Sequence, residues 1–483
     1  MEQENQKGTN KGNMQRRQFI KNTMVLGAAT VIPSCFIAGC TDRNNKKRIT
    51  PNEKVNLACC GIGYRGKDII NRLYDTGLAN IVALCDVDMG APHTEKILKK
   101  FPDVPRFQDF RQMFDKMGNQ IDAVSVGTPD FSHFPITMLA MSLGKHVYVE
   151  KPMAHTFREA ELIIQAEKKY NVWGQMGNQG HSSANYYQFK AWVDAGIVKN
   201  VTKITAFMNG VRRWHGMKVY DYLKGQPIPE TMDWDTWHTT ARYRDYNVGY
   251  VSGEWRSWYD FGNGALGDWG AHIFDTAHEF LKLGLPTEVN PLMLDGWSPL
   301  IFPQASTLLF KFPQRGNLPP VDMAWYDGVG NLPSLPDEFG NPVGDSDIRP
   351  PTAGTVGTKE SHPGKIIYGE GVTFKGWSHD STLKVIPEAK AKEMEGQLPE
   401  IPGCTSNHFA NFLLACKGEE ECRSSFAVAG PLTQVMMLGV IAQRLNAVLE
   451  FDPVKKQVAN NKIANAYLEG PPPRKGWEEF YKL

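Results

Sequence analysis

The sequence has no excess of either charge, no long apolar run near its start and no metal-binding pattern of cysteine and histidine. Lys and Arg total 53 against 52 Asp and Glu, a net charge of +1 over 483 residues. That balance excludes nucleic acid or a polybasic contact with a membrane surface as the main mode of action. The apolar run 24–32 is too short to cross a bilayer. The eight cysteines contain no C-x-x-C, and no H-E-x-x-H occurs, so no metal is expected. No internal repeat is present. What remains is chemistry in a pocket of a chain long enough for more than one domain.

The pocket is announced by the apolar run 55–60, which stops at Gly61-x-Gly63-x-x-Gly66 and is followed by the helical pattern from Lys67 to Leu73. Read as strand, tight turn and helix, Gly61 permits the turn, Gly63 lets the backbone approach a pyrophosphate, and Gly66 lets helix and strand pack closely. A second apolar run, 81–85, ends in Asp86, placed to accept both ribose hydroxyls. No Arg or Lys follows to meet a 2′-phosphate, so NAD is expected rather than NADP.

Ahead of this lies Arg16-Arg17-Gln18-Phe19-Ile20-Lys21 and then the apolar run, an order that resembles the twin-arginine export signal of bacteria. Ile37-Ala38-Gly39-Cys40 resembles a lipobox. The expectation is a signal over 1–39, lipidation of Cys40 as the only membrane attachment, a tether over 40–52, and a periplasmic or membrane-anchored location.

From residue 53 to 176, strands and helices alternate, which predicts a doubly wound parallel sheet. Thr128-Pro129, Glu150-Lys151-Pro152 and Asn178-Gln179 fall at carboxyl ends of its strands, where ligands of such sheets bind. Residues 177–450 read as an α+β domain with an open, mainly antiparallel sheet and long loops, including one over 328–363. A strand-like run is expected over 364–374, helices over 406–416 and 430–445, and an irregular wrap over 451–483. Cys404, Cys416 and Cys422 offer a disulfide whose pairing stays open.

Two constellations carry chemistry. In Glu150-Lys151-Pro152 the proline ends the ladder and leaves the Lys151 amine projecting toward the crevice, unless the lysine is only part of a solvated turn. In residues 264–275, a helix would set Asp268 and His272 at i and i+4 on one face, with Asp275 one turn further. An imidazole beside a carboxylate suits proton transfer near neutral pH; the plainer alternative is a capping acid and a core histidine. Arg242, Arg244 and Arg256 are candidates to face substrate. Six of the twelve tryptophans lie between Trp214 and Trp269 and form either a platform for sugar rings or a core.

The ordered set of the glycine turn, Asp86, Thr128-Pro129 with His133, Glu150-Lys151-Pro152 and the Asp268/His272 pair resembles the Gfo/Idh/MocA family, named for glucose-fructose oxidoreductase and inositol dehydrogenase. The similarity runs over roughly 52–483 and includes Asn407-His408-Phe409 and Phe451-Asp452-Pro453. The resemblance implies Lys151, Asp268 and His272 as catalytic residues, and NAD contacts from Gly61, Ile62, Gly63, Arg65, Gly66, Asp86, Thr128, Pro129, His133, Glu150, Lys151 and Gln179. It implies a sugar or glycoside substrate and, by analogy, association with further copies of the chain. An exported enzyme has little free NAD to draw on, so the cofactor is expected to stay bound. Three functions are then consistent: a sugar oxidoreductase, a glycosidase that oxidises, eliminates, hydrates and re-reduces, or a carbohydrate-binding lipoprotein without turnover.

Overall fold

The structure, a computed structural model, describes residues 49–50, 52–208, 219–251, 253–328, 330–336 and 363–483. The expected signal, Cys40, Trp214 and most of the loop expected over 328–363 lie outside them.

The first half is β1 (Val55–Cys60), α1 (Tyr64–Asp75), β2 (Ala79–Cys85), α2 (Glu95–Lys100), β3 (Arg106–Phe107), α3 (Phe110–Met117), β4 (Ala123–Val126), α4 (Asp130–Ser142), β5 (His146–Val149), α5 (Phe157–Tyr170) and β6 (Gly174–Met176). All six strands are parallel, in the order β3-β2-β1-β4-β5-β6. The inner strands β1, β4 and β5 are largely buried because helices cover both faces. Crossovers leave β1 in opposite directions, so β1 and β4 are neighbours at the switch point and a crevice opens at their carboxyl ends. Cys60 pairs with Val126, which sets Gly61 beside Gly127.

α5 begins at a side-chain cap. Thr156 accepts from the Glu159 amide, and the Glu159 carboxylate accepts in turn from the Thr156 amide. Such a capping box stabilises a helix start by about 1 kcal/mol.

The second half contains α6 (Ala184–Asp194), β7 (Lys203–Met208), α7 (Trp234–His238), α8 (Gly264–Ile273), α9 (Asp275–Phe280), β8 (Glu288–Asp295), β9 (Ala305–Phe312), β10 (Val321–Asp327), β11 (Gly364–Gly369), β12 (Val372–Trp377), β13 (Lys384–Ile386), α10 (Glu388–Met394), α11 (His408–Lys417), α12 (Phe426–Leu445), β14 (Leu449–Asp452), β15 (Gln457–Val458) and α13 (Lys462–Glu469). Its nine strands run β13-β12-β11-β7-β10-β9-β8-β14-β15 and are antiparallel except for β7 with β10. The run expected over 364–374 is two strands, because Glu370-Gly371 makes a hairpin turn in which Gly371 has φ +69°.

Two further expectations are corrected. The C-terminal stretch is not an irregular wrap: β14 and β15 extend the sheet, α13 packs on α5 and α12, and the Tyr481 hydroxyl donates to Glu159 at 2.6 Å. Cys404, Cys416 and Cys422 are free thiols, the first exposed and the other two buried among apolar side chains.

The chain also crosses back between its halves. Phe409, Phe412 and Leu413 of α11 pack into the same cluster as Val55, Leu57 and Cys59 of β1, so a helix from the C-terminal part covers one face of the parallel sheet. α12 is long and apolar enough to span a membrane, yet it packs as a core helix against α5 and α8. That packing fixes α8 over the crevice.

Candidate active site

The dinucleotide turn is built by contacts that leave no room for side chains. Gly61 has φ +77°, and a Cβ there would lie 2.7 Å from the carbonyl of Gly127. A Cβ on Gly66 would lie 2.0 Å from the Gly61 oxygen. No side chain caps the start of α1, so its first amides and the positive end of its dipole are presented to a ligand. Asp86 stands at the end of β2, accepting from the Ile62 amide at 3.0 Å and from the Asp88 amide at 3.1 Å. Burial raises its pKa against the pull of those two amides. Ile62 itself is buried, and its N–H is held by Asp86. Glycines without Cβ, uncapped amides and a carboxylate at the strand end fit a dinucleotide.

Arg65 ties this turn to the next strand ends. Its guanidinium bonds Glu150 at 3.1 Å and Gln179 at 3.1 Å, bringing three of the expected cofactor residues into one contact. Thr128 Oγ1 accepts from Ser132, and Pro129 leads into α4. His133 is buried with both ring nitrogens 2.8 Å from carbonyls, those of Pro152 and Thr128. The ring therefore braces the two strand-end turns from beneath.

Lys151 follows Glu150, and its peptide to Pro152 is cis. Its Nζ donates to Asp268 twice, at 2.6 Å to Oδ1 and 2.7 Å to the backbone carbonyl. Burial lowers the Lys151 pKa, with Asp268 and Glu150 opposing, so the ammonium parts with its proton more readily than a surface lysine. Asp268 and His272 are one turn apart on α8, as the spacing predicts. Burial holds the His272 pKa well below the usual histidine range, aided by His379 and Lys151 and opposed by Asp268. The ring is neutral near pH 7, and its buried Nδ1 has no partner.

Asp275 does not join that pair. α8 ends at Ile273 and α9 starts at Asp275, and the Asp275 carboxylate is bound by Asn178 and His181, each at 2.8 Å. His181 also faces Glu279 at 3.0 Å. These carboxylates overcome the burial penalty and hold the imidazole as a cation, its pKa pushed up to about 10. Behind α8, Lys365 Nζ donates to the Ile273 carbonyl at 3.1 Å, and burial brings its pKa down to about 8.

Of the arginine candidates, Arg242 is exposed, and Arg244 pairs with Asp260 at 2.6 Å and lies on the Tyr222 ring. Arg256 lies over Trp255, and its charge bears on both Lys151 and His133. Trp234, Trp237, Trp255 and Trp258 form a buried cluster with Phe131, Tyr250 and Phe261, the core alternative. Trp269 instead packs edge-on to His379 at 5.4 Å.

Three histidines that the sequence does not single out complete the surroundings. His379 stacks on His272 with centroids 4.1 Å apart. His181 holds the network above. His93 stacks on Tyr64 at 4.8 Å and lies against Gly63. Each comes from a turn or a short helix, where no periodicity flags it. Among the described residues no group of three or more His, Cys, Asp or Glu is arranged to hold a metal.

Comparison with known proteins agrees with this fold. Residues 55–178 match the GFO_IDH_MocA description "Oxidoreductase family, NAD-binding Rossmann fold", and residues 184–290 match "Oxidoreductase family, C-terminal alpha/beta domain". A glycosyl hydrolase family 109 protein 2 of Shewanella sp. (strain ANA-3) is 30% identical over 169 residues, covering 32% of this chain and 37% of that protein. Inositol 2-dehydrogenase of Salmonella typhimurium is 25% identical over 175 residues, covering 36% and 49%. The matched stretches thus span about a third to a half of these relatives' own length. The WlbA dehydrogenase from Bordetella pertussis, solved with NADH and UDP-GlcNAcA, shares the fold with a TM-score of 0.55 at 13% identity, covering 84% of this chain and 99% of that one. The parallel sheet is an NAD-binding Rossmann domain, and the chain belongs to the Gfo/Idh/MocA family of oxidoreductases.

Proposed function

We propose that the protein oxidises a hydroxyl of a sugar or glycoside with an NAD that it does not release between turnovers. One chain of contacts carries the reading. Arg65 of the dinucleotide turn binds Glu150, and the next residue, Lys151, binds Asp268, one helical turn from the neutral His272. Bound NAD supplies the hydride acceptor and donor at carbon. His272, neutral beside Lys151 and Asp268, receives the hydroxyl proton on its ring. Lys151 donates to the same oxygen and favours its deprotonation, and Asp268 holds the ammonium in place. The short apolar helix α8 and the cover of α12 keep water from the pair.

A second reading is favoured by the glycosyl hydrolase family 109 relative. The same proton acceptor and donor serve oxidation, elimination of an aglycone, addition of water and re-reduction, with no net redox change. A binding lipoprotein without turnover is disfavoured by a retained Lys151, Asp268 and His272. The proposal includes export and attachment through Cys40, which is why the cofactor is expected to stay bound.

The test is to purify the chain from residue 41, denature it, assay NAD(H) in the supernatant, and incubate native protein with a panel of sugars and glycosides. Retained NAD that becomes reduced and stays so until a second compound is added supports the oxidoreductase. Aglycone release without net reduction supports the glycosidase. No bound NAD and no NAD-dependent turnover overturns both.

A further inference from the structure

We propose that His379 is a positioning residue for His272: stacked on it from the loop between β12 and β13, it fixes the plane of that ring and keeps it in the form that accepts a proton. The inference rests on the reading of His272 as the base.

Four observations place the second imidazole there by construction rather than by chance contact. The rings are nearly parallel, 24° apart, with centroids 4.1 Å apart. Trp269, on the same helix as His272, meets His379 edge-on at 84°, so the ring is held from two sides. The Ser378 hydroxyl lies 2.8 Å from His379 Nδ1 and fixes its rotation. His379 adopts φ +54°, a conformation that residues with side chains take at a cost and that must be imposed by its surroundings. The imposing neighbour is Gly180, directly after the cofactor-side Gln179: a Cβ at 180 would lie 2.6 Å from the His379 carbonyl oxygen. The loop can close on the site because residue 180 lacks a side chain.

The electrostatics follow from the groups around His272. Asp268 on its own helix favours a proton; Lys151 from the β5–α5 turn, Arg65 from α1 and His379 oppose it, His379 most among the charges. Two stacked imidazoles do not both hold a proton, since like charges in contact away from water repel strongly. A charge on His379 therefore disfavours a proton on His272 before substrate gives up its own.

The experiment is a histidine NMR titration of the full mature chain, with the His272 signal assigned by His272→Gln. It compares His379→Phe, which keeps a ring without a charge, with His379→Asn and Gly180→Ala, which leave the ring unstacked or displaced. The His272 midpoint is expected to rise at least tenfold in proton affinity in His379→Phe and to rise in the other two. The acid limb of kcat is expected to move to higher pH with it, while KM changes little and His379→Phe retains more of the plateau rate than His379→Asn. An unchanged His272 midpoint in His379→Phe, or in Gly180→Ala if the first does not fold, overturns the proposal. Full activity of His272→Gln would instead overturn the base assignment and leave the titration result to be judged alone.

Discussion

Lys151 Nζ reaches Asp268 at both its carboxylate and its own backbone carbonyl, across 117 residues of chain. The pair joins the end of a Rossmann strand to a helix of the second domain, and both side chains are nearly buried. It is at once the seam between the two halves and the centre of the proposed chemistry.

Replacing Lys151 by Met should therefore act twice. Turnover is expected to fall about 10²–10⁴-fold, the size of a lost proton-transfer group. Stability is expected to fall by about 3–5 kcal/mol, because Asp268 is left buried without its cation. Further replacement of Asp268 by Leu should restore much of the Tm and none of the activity. A calorimetric scan with NAD content measured in parallel separates the two effects.

His272 has its pKa well below the ordinary histidine range, so kcat/KM is expected to show no acid limb near pH 6.5 and to fall only at lower pH. His272→Gln should lose activity across the whole range while keeping its NAD. A pH–rate profile with an ordinary histidine limb would contradict the neutral-base assignment.

Gly66→Ala drives a Cβ onto backbone, 2.0 Å from the Gly61 oxygen, so the turn must open. Gly63→Ala meets only the His93 side chain, which can move aside. NAD per folded chain should drop steeply in the first and less in the second. Asp86→Ala removes the acceptor at the strand end and should weaken NAD about tenfold or more, the worth of one or two hydrogen bonds. Equilibrium dialysis of NAD against each variant provides the comparison.

His181 binds its proton far more tightly folded than unfolded, with a folded value of about 10. Its stabilisation is complete below the unfolded value near 6.5 and is lost as pH rises through about 10. Between these limits stability should fall by up to about 1.4 kcal/mol per pH unit from this group. Lys365, lowered to about 8 against the pull of Asp275, acts with the opposite sign above pH 8, and loss of Asp275 lowers it further, so both groups make the decline shallower in Asp275→Asn. The variant should show a shallower decline of Tm from pH 7 to 10; equal slopes would show that Asp275 does not hold that proton.

The parts of this site that the sequence made legible are those governed by local rules. The glycine turn, Asp86, Lys151 before its proline and the i,i+4 pair Asp268/His272 are set by turn chemistry and helical period, and they stand where those rules put them. The role of Asp275 escaped because its partners, Asn178 and His181, lie 97 and 94 residues away in sequence. His379 and His181 escaped because their partners are distant in sequence and their own segments are turns. The free Cys416 and Cys422 show the limit of cysteine counting: both are buried with α11 and the Rossmann sheet and act as small apolar side chains. The return of α11 to the first sheet was equally hidden, since an apolar helix face does not say which sheet it covers.

The central claim is that His272 draws a proton from a sugar hydroxyl while retained NAD is reduced. The most direct measurement is the nicotinamide absorbance of protein purified without added cofactor, recorded before and after addition of sugars and glycosides, for wild type and His272→Gln at equal NAD content. The account predicts that a sugar or glycoside reduces the bound NAD of the wild type within a single turnover and leaves that of the variant oxidised. Equal reduction in both, or a wild type that holds no NAD, would contradict it.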